Sequence, residues 1–393
     1  MSEWKEYKLG DLTIDGKGSY GIAAPAVDYD SQKYTYLRIT DINDDGTLNK
    51  NSLKSVDNVN ASNYLLQAND IVFARTGASV GRSYFYDERD GELVYAGFLI
   101  KYSLDPSKVN PKLIKFYTHS QTYYDWIQTV DNGATRGNIN AQTYASMPIL
   151  LPKREIQDKI VSILSSLDDK IDLLNRENAT LEGMAETLFR QWFIEEAKED
   201  WEEKSLLDCI KLIGGGTPKT SESNYWNGNV CWLSGGDIAG NHKRFACASE
   251  KCISNEGLNN SSAKLLPENA MVVSARGTVG KYCLLSKPMA FSQSNYGILP
   301  ILENCYFFTY LLVAYHIDEL QSAAYGSVFD TITTKTFEGV NVTLPRKENY
   351  ITEFEKIIEP YFSKIKYNEF QRQSLIKTRD ILLPKLMSNE IKL

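Results

Sequence analysis

The chain has 393 residues and a net charge of −7, with 42% hydrophobic and 24% charged residues. This mixture is typical of a folded protein, and at roughly 150 residues per domain the length predicts two or three domains. The amino terminus lacks the apolar core of a signal peptide, and the longest apolar run, 306–315, is far shorter than the ~20 residues that span a bilayer. We therefore expect a cytoplasmic protein with no membrane partner.

The cysteines give no sign of a metal site or a disulfide framework. All six lie after position 200, none belongs to a C-x-x-C pair, and the sequence has only three histidines. Zinc sites and disulfide frameworks use tighter, paired spacing. We interpret these cysteines as small apolar core residues or free thiols, and we expect no metal.

The first half of the chain is predicted to be rich in β-structure with a few helices. β-branched and aromatic runs bounded by Gly, Asn, Asp and Pro predict strands at 35–42, 70–75, 92–104 and 147–152. Residues 111–128 are predicted to form a helix that begins at a proline.

A long helix is predicted at 154–193, where glycine is almost absent and proline does not occur. Apolar residues recur there at alternating steps of four and three, the spacing that keeps one stripe facing a partner helix. The stripe that we assign to the seam of a coiled coil contains Ile160, Leu164, Leu167, Ile171, Leu174, Leu181 and Leu188.

The second half repeats the first half in the same order. WKEYKLGDL (4–12) returns as WEEKSLLDC (201–209), YLRITDI (36–42) as WLSGGDI (232–238), IVFARTGASVG (71–81) as MVVSARGTVG (271–280), and the segment 132–152 as 325–345. The helix predicted at 111–128 has its counterpart at 305–324. Chance similarity does not stay collinear in this way, so the chain is an internal duplication.

The repeat ends in a second predicted helix with a weaker stripe. Its seam residues are Ile358, Tyr361, Ile365, Leu375 and Leu382. Asn368, Arg372 and Arg379 interrupt the stripe, and Pro360 predicts that the helix begins near that residue or kinks there. The two stripes can bury each other as an antiparallel pair; the alternative is that each helix packs on its own globular half.

The segment GGGTPKTSESNYWNGNVCWLSGGDI (214–238) resembles the signature of the specificity subunit of type I restriction–modification systems. In that family a Gly-Gly-Thr-Pro turn precedes Tyr-Trp, and an aromatic strand then ends in Gly-Asp-Ile. The repeated Arg/Gly loops, LFRQWF (188–193) and LLPKLMSNEI (382–391) also match, so that the resemblance covers essentially the whole chain. The first half departs from the pattern, because DGKGSYGIAAPAV (15–27) replaces the turn.

The resemblance implies an α+β protein with two similar β-rich target-recognition domains, separated by two long helices that pack as an antiparallel coiled coil with pseudo-twofold symmetry. The expected boundaries are 1–152 and 194–345 for the recognition domains, and 153–193 and 346–393 for the helices.

The resemblance also implies the function. Each domain would read one half of a split double-stranded DNA target, and the helices would set the gap and dock two methylation subunits. Restriction subunits would join that assembly. This chain would be non-catalytic, and S-adenosylmethionine, ATP and magnesium are expected only in partner subunits.

The motifs that are missing agree with a non-catalytic chain. We find no Asn-Pro-Pro-aromatic or Asp-Pro-Pro-aromatic tetrapeptide for methylating a flipped base and no glycine-rich nucleotide fingerprint. GGGTPKT (214–220) is not a phosphate-binding loop, because Pro218 rather than glycine precedes Lys219. A stand-alone nuclease or methylase is therefore disfavoured.

The repeated loops supply the first group of candidate DNA-binding residues: Arg75, Thr76 and Arg82, and likewise Arg276, Thr278 and Lys281. Arg and Lys can reach phosphates or guanine, and Thr can serve either. Because the motif occurs in both halves, which would read different sequences, we favour scaffold or phosphate contact over base readout. The alternative is an internal ion pair in a glycine-shaped turn.

The second group of candidates lies where the two copies diverge. It contains Lys17, Ser19, Tyr20, Arg136 and Asn138 in the first half, and Thr217, Lys219, Thr220, Ser221, Tyr225, His242, Lys243 and Arg244 in the second. Each is polar, lies in a predicted loop and can meet a base edge; the alternative is an ordinary exposed loop. The carboxylate pairs Asp44, Asp45 and Asp168, Asp169 are interpreted as solvated.

The charge of the chain is unusual for a DNA-binding protein. Residues 1–152 carry a net charge of −3 and residues 194–345 a net charge of −5, whereas a self-sufficient DNA-binding domain is usually basic. Either a local basic face or partner subunits must then supply the phosphate contacts, and we expect the isolated chain to bind DNA weakly. The competing class is a duplicated adaptor on a coiled-coil spacer that binds peptides or glycans.

Overall fold

The computed structural model describes residues 4–131, 138–325 and 330–393. These residues divide into two compact units. The first unit holds the chain up to Asp169 together with Ile376–Leu393, and the second holds Lys170–Leu375.

The first unit contains two four-stranded sheets, in the orders β2-β9-β6-β7 and β3-β5-β4-β8, and a two-stranded ladder of β1 with β10. Its strands are β1 (Lys5–Lys8), β2 (Ser19–Tyr20), β3 (Ala26–Asp28), β4 (Thr35–Leu37), β5 (Lys54–Val56), β6 (Asp70–Ala74), β7 (Ser83–Phe85), β8 (Leu93–Tyr95), β9 (Leu99–Ser103) and β10 (Pro148–Leu151). Its helices are α1 (Pro111–Tyr117), α2 (Gln121–Asp131), α3 (Ala141–Ala145) and the first part of α4 (Arg154–Arg190). The strands pair antiparallel except β4 with β8.

The second unit repeats this plan with sheets in the orders β12-β20-β17-β18-β14 and β15-β13-β19-β16 and a ladder of β11 with β21. Its strands are β11 (Glu202–Ser205), β12 (Ile210–Gly214), β13 (Trp226–Leu233), β14 (Phe245–Ala246), β15 (Lys251–Ile253), β16 (Leu265–Leu266), β17 (Met271–Ser274), β18 (Tyr282–Leu285), β19 (Met289–Phe291), β20 (Asn295–Pro300) and β21 (Asn341–Leu344). Its helices are α5 (Gly235–Gly240), α6 (Asn255–Asn259), α7 (Tyr306–Tyr315), α8 (Ile317–Tyr325), α9 (Thr334–Glu338) and most of α10 (Glu348–Met387).

The two units share strand pairings that confirm the duplication. β4 pairs parallel with β8 in the first unit, and β13 pairs parallel with β19 in the second. The repeated aspartates also have one role: Asp41 accepts a hydrogen bond from the Arg38 N–H at 2.9 Å, and Asp237 accepts one from the Ser234 N–H at 2.8 Å. Each carboxylate therefore caps a short helical turn that follows its strand.

The apolar runs at the centre of each unit are strands covered on both faces. Every residue of β6 and of β17 is buried. In β6, Ile71 and Phe73 pack into the cluster that contains α1 and α2, whereas Val72 packs into the cluster of the other sheet. Because neighbouring residues of a strand point to opposite faces, a strand buried on both sides reads as a continuous apolar run.

The long helices pair antiparallel within each unit. In the second unit Phe193, in a π-helical extension of α4 (Gln191–Glu195), meets Phe354 of α10 with ring centroids 4.9 Å apart, and Asn368 donates to Asn178 at 2.9 Å. In the first unit Arg379 of α10 pairs with Asp168 of α4 at 3.1 Å. Later residues of α4 thus contact earlier residues of α10, so the two helices are antiparallel. This confirms the antiparallel pair that the sequence favoured.

The seam residues differ in their burial. Ile160, Leu164, Leu174, Ile358 and Ile365 are buried, whereas Leu167, Ile171, Leu181, Leu188, Tyr361, Leu375 and Leu382 are half-buried. The most buried aromatic residues of the pair, which the stripe assignment omitted, are Phe189, Phe193, Phe354 and Phe362. The seam therefore holds an aromatic layer as well as aliphatic residues.

Three expectations about helices and charges need correction. α10 begins at Glu348 rather than near Pro360. Proline has no N–H to bond the carbonyl of Lys356, one turn earlier, but both residues are exposed, so water can bond that carbonyl and the helix continues through Pro360. The helices predicted at 111–128 and 305–324 are each two helices, α1 with α2 and α7 with α8. Asp168 is not solvated: its side chain is 19% exposed and pairs with Lys115 and Arg379, both at 3.1 Å.

The described residues contain no helix that is both long and apolar enough to cross a membrane. All six cysteines are free, and Cys231, Cys283 and Cys305 are buried, as expected for small apolar core residues.

Candidate nucleic-acid interface

The glycines of the repeated loops hold positions that only glycine adopts easily. Gly77 and Gly81 have φ angles of +74° and +86°, and Gly277 and Gly280 have φ angles of +76° and +77°. A side chain is strained in this left-handed region, so the shared glycines are explained by the shape of the loop. The first loop connects β6 to β7, and the second connects β17 to β18.

A helix holds each loop in place. Tyr123 Oη on α2 donates to the Gly81 carbonyl at 2.6 Å, and Gln321 Nε2 on α8 donates to the Val279 carbonyl at 2.8 Å. The backbone at the end of each loop is thus fixed by a side chain of the domain itself. A side chain carried by such a loop is presented from a rigid base.

Arg75 and Arg276 do not occupy equivalent positions in the two loops, although the similar segments ART (74–76) and ARG (275–277) suggest that they do. The Arg75 N–H donates to the Phe98 carbonyl, and its carbonyl accepts from the Ile139 N–H. Ala275 makes the two equivalent bonds in the second unit: its N–H donates to the Ser294 carbonyl, and its carbonyl accepts from the Ile332 N–H. Arg75 therefore corresponds to Ala275, which leaves Arg276 opposite Thr76. The expectation that the two arginines repeat one role is corrected by this register.

Three residues from separate segments contact Arg75 in the first unit: Tyr20, Asn138 and Phe98. Its guanidinium lies 4.9 Å from the centroid of the Tyr20 ring, and Nε and Nη2 donate to Asn138 Oδ1 at 3.4 Å and 3.2 Å. Tyr20 is 43% exposed, and its hydroxyl accepts from the Ala141 N–H at 3.1 Å. Phe98, whose carbonyl accepts from the Arg75 N–H, is 60% exposed.

Arg82, in contrast, is held within its own domain. Its Nη2 pairs with Asp44 at 2.6 Å, and Nη1 donates to the Ile42 carbonyl at 3.2 Å. The internal ion pair that was the alternative for this loop is thus found at Arg82. Asp44 itself is 86% exposed, which agrees with its interpretation as a solvated carboxylate.

The other candidates of the first unit flank this cluster. Ser19 lies on β2 beside Tyr20 and shares a hydrogen bond with Tyr95 Oη at 2.9 Å. Lys17 is exposed on the loop before β2, and Thr76 forms an isolated bridge with Asn138. Arg136 lies outside the described residues.

In the loop of the second unit, Arg276 is the exposed cation. Its guanidinium makes no hydrogen bond or ion pair with the described residues, and its carbonyl accepts from the Ser274 hydroxyl at 3.2 Å. Thr278 is committed to the fold, because its hydroxyl shares a hydrogen bond with Ser274 at 2.9 Å and donates to the Gly235 carbonyl at 3.3 Å. Lys281 ends the loop and is half-buried.

The basic insert lies on the side of the second unit that faces α4. Lys243 pairs with Glu186 of α4 at 3.1 Å, and the His242 ring meets the Tyr282 ring edge-on at 4.8 Å. Burial, and then the charge of Lys281, lower the pKa of His242 to about 4, so His242 is neutral at neutral pH. Arg244 is exposed and follows in the same turn.

The remaining candidates lie on the loop between β12 and β13. Lys219, Thr220 and Ser221 are exposed, and Thr217 and Tyr225 are half-buried. The glycines before this loop allow close packing: a Cβ on Gly215 would lie 2.1 Å from the Ser292 carbonyl oxygen. Trp232 Nε1 donates to the Gly216 carbonyl at 2.9 Å. The Gly-Thr-Pro segment is thus packed tightly against the domain in irregular backbone, and the turn itself follows at residues 220 and 221.

The two halves of the chain also match one family model. The model of the type I restriction modification DNA specificity domain matches residues 1–183 and again residues 198–378. The chain belongs to this family. Specificity subunits are the non-catalytic DNA-recognition subunits of type I systems, and this one carries two recognition domains.

Several known specificity subunits are similar to this one along their length. The HindI specificity subunit of Haemophilus influenzae is 25% identical, and the alignment covers 100% of both chains. The MjaIX specificity subunit of Methanocaldococcus jannaschii is 24% identical over 70% of this chain and 67% of that protein. The crystal structure of the S subunit from M. genitalium shares the fold, with a TM-score of 0.58 and 14% identity over 98% of this chain and 96% of that one.

Phe98 is a surface residue of this specificity subunit that the sequence did not identify. It lies within 92–104, which predicted a single strand, but Gly97 and Phe98 form the turn between β8 and β9. The glycine inside an apolar run was the available signal for a break. A turn at that position exposes the aromatic ring and leaves the Phe98 carbonyl bonded to the Arg75 N–H.

Proposed function

We propose that each recognition domain reads one half of a bipartite double-stranded DNA target, through the face that carries its β6–β7 or β17–β18 loop. In this proposal α4 and α10 set the gap between the half-sites and dock two methylation subunits, and restriction subunits join the assembled complex. S-adenosylmethionine, ATP and magnesium act in those partners.

The observation that carries the proposal is a pair of equivalent loops that are fixed in the same way but carry different side chains. Glycines at positive φ and a donor from a packed helix fix each loop. The cations differ: Arg75 of the first loop is half-buried, whereas Arg276 of the second loop is exposed and lies one position further along. A constant scaffold with variable polar groups suits two domains that read different sequences, because side chains that reach base edges carry the specificity. The adaptor alternative is set aside, since both halves match the specificity-domain model.

The charge of the domains supports a role for the partners in affinity. Residues 1–152 and 194–345 carry net charges of −3 and −5. Arg82 and Lys243 are already paired with Asp44 and Glu186. Phosphate contacts supply much of the affinity of DNA-binding proteins, so the methylation subunits would provide most of them.

Methylation mapping tests the proposal. Cells that carry the complete system should show methylated bases in a target of two short defined sequences separated by a gap of unspecified sequence. Cells that lack only this chain should show none. A continuous target, or methylation that survives removal of the chain, would contradict the proposal.

A binding measurement tests the part played by the partners. The isolated chain and its complex with methylation subunits are titrated with a duplex that contains the mapped target, at one salt concentration. We expect tight binding by the complex only. Equal affinity of the isolated chain would show that phosphate contacts by the partners are not needed.

A further inference from the structure

We propose that Arg75 reads a guanine in the half-site of the first recognition domain, and that Tyr20 and Asn138 are positioning residues that aim its guanidinium. The inference rests on the proposed function and adds to it the residue, the base and the domain. It also implies that the second domain reads its half-site without an equivalent of this cluster.

The guanidinium of Arg75 is held from two sides, and one edge stays open. The Tyr20 ring lies 4.9 Å away, and Asn138 Oδ1 accepts from Nε and Nη2. Nη1 has no hydrogen-bond acceptor among the described residues, and Arg75 makes no ion pair with them. The edge formed by Nη1 and the second Nη2 hydrogen can therefore donate two parallel bonds. Guanine offers O6 and N7 to such a fork in the major groove.

The supports of Arg75 are themselves fixed by the fold. Tyr20 lies on β2, whose partner strand β9 also pairs with β6, and its hydroxyl accepts from the Ala141 N–H at 3.1 Å. Asn138 bridges to Thr76 through the backbone. Pre-set geometry matters because a long flexible arginine loses less freedom on binding when it is already aimed.

The corresponding positions in the second domain hold residues of other chemistry. Tyr20 pairs with Ile100 of β9, and Gly214 pairs with Tyr296 at the matching rung of β12 and β20. Arg75 corresponds to Ala275 and Asn138 to Thr331, because Ile139 and Ile332 donate to the two equivalent carbonyls. The second domain thus lacks all three members of the cluster, namely Arg75, Tyr20 and Asn138. Joint replacement is expected for residues that read a base sequence, whereas residues of a shared scaffold would be kept in both domains.

The test uses the complete complex and its mapped target. Arg75→Lys keeps the charge but loses the fork, so methylation should become less selective at one G·C pair of one half-site. The loss should be roughly 5- to 150-fold in the ratio of methylation rates on duplexes with and without that pair. Arg276→Lys should alter only the other half-site, which identifies the half-site that belongs to each domain. The exposed Arg89, paired with Asp87 at 2.6 Å, gives a matched control, Arg89→Lys, with unchanged selectivity.

The positioning role has its own readout. Tyr20→Phe keeps the ring beside the guanidinium and should keep selectivity at that pair, whereas Tyr20→Ala should lower it at the same pair as Arg75→Lys. Unchanged selectivity in Arg75→Lys, or a uniform loss across all pairs as for a phosphate contact, would overturn the inference. A wild-type complex without a bipartite target would overturn the proposed function instead.

Discussion

A half-buried carboxylate on α4 gives a stability prediction whose size follows from the structure. Glu182 accepts a hydrogen bond from Tyr310 of α7 at 2.9 Å, and burial raises its pKa from 4.5 to about 7. Because the folded state holds the proton more tightly than the unfolded state, ionising Glu182 costs stability. The cost is absent below pH 4.5, grows as the pH rises, and is complete above pH 7, where it is about 3 kcal/mol.

Glu182→Gln removes this charge and keeps an oxygen that can accept from Tyr310. The free energy of unfolding is measured in urea by circular dichroism for the variant and the wild type at pH 5 and pH 8. The gain in stability of the variant over the wild type should be larger at pH 8 than at pH 5 by about 2–3 kcal/mol. Glu186→Gln, one turn further along α4, removes a half-exposed ion pair with Lys243 and should change stability by less than ~1 kcal/mol. An equal difference between Glu182→Gln and wild type at both pH values would refute the reasoning.

Three further perturbations test the packing and the helices. Gly215→Ala should lower the unfolding free energy by ~1–3 kcal/mol or more, because the new Cβ would lie 2.1 Å from the Ser292 carbonyl oxygen. Gly214→Ala is the control, since a Cβ there faces open space and should be tolerated, and thermal unfolding of the two variants compares their stability. Replacing Asn368 and Asn178 together by leucine should stabilise the helix pair by about 1–2 kcal/mol, and a lower urea midpoint would contradict this. Inserting seven residues between 175 and 185 lengthens α4 by ~10 Å, so methylation mapping should show a gap wider by about three base pairs with unchanged half-sites.

The duplication and the helix pair could be predicted from the sequence because both depend on pattern. Trp4 and Trp201 precede equivalent strands, and the apolar stripe of α4 requires a partner helix. The polar interruptions of the second stripe were visible too, but their partners were not. Asn368 meets Glu177 and Asn178, and Arg379 meets Asp168, and such pairings depend on the register of two helices that no local pattern reports.

The recognition face was harder to predict, because residues that align in sequence between the two halves do not occupy equivalent positions in the fold. The second loop is one residue shorter, so the sequence aligns the two arginines, while the backbone hydrogen bonds align Arg75 with Ala275. Arg82 and Lys243 looked like free cations, but each has an acidic partner from a distant segment. Which cations remain free is decided by tertiary contacts.

The most direct test of the account is a map of methylated bases in cells that carry the complete system with one recognition domain exchanged at a time. We predict that exchanging residues 1–152 for those of a relative changes one half of the target only, and that exchanging 194–345 changes the other half only. A change in both halves after either exchange would contradict the claim that each domain reads its own half.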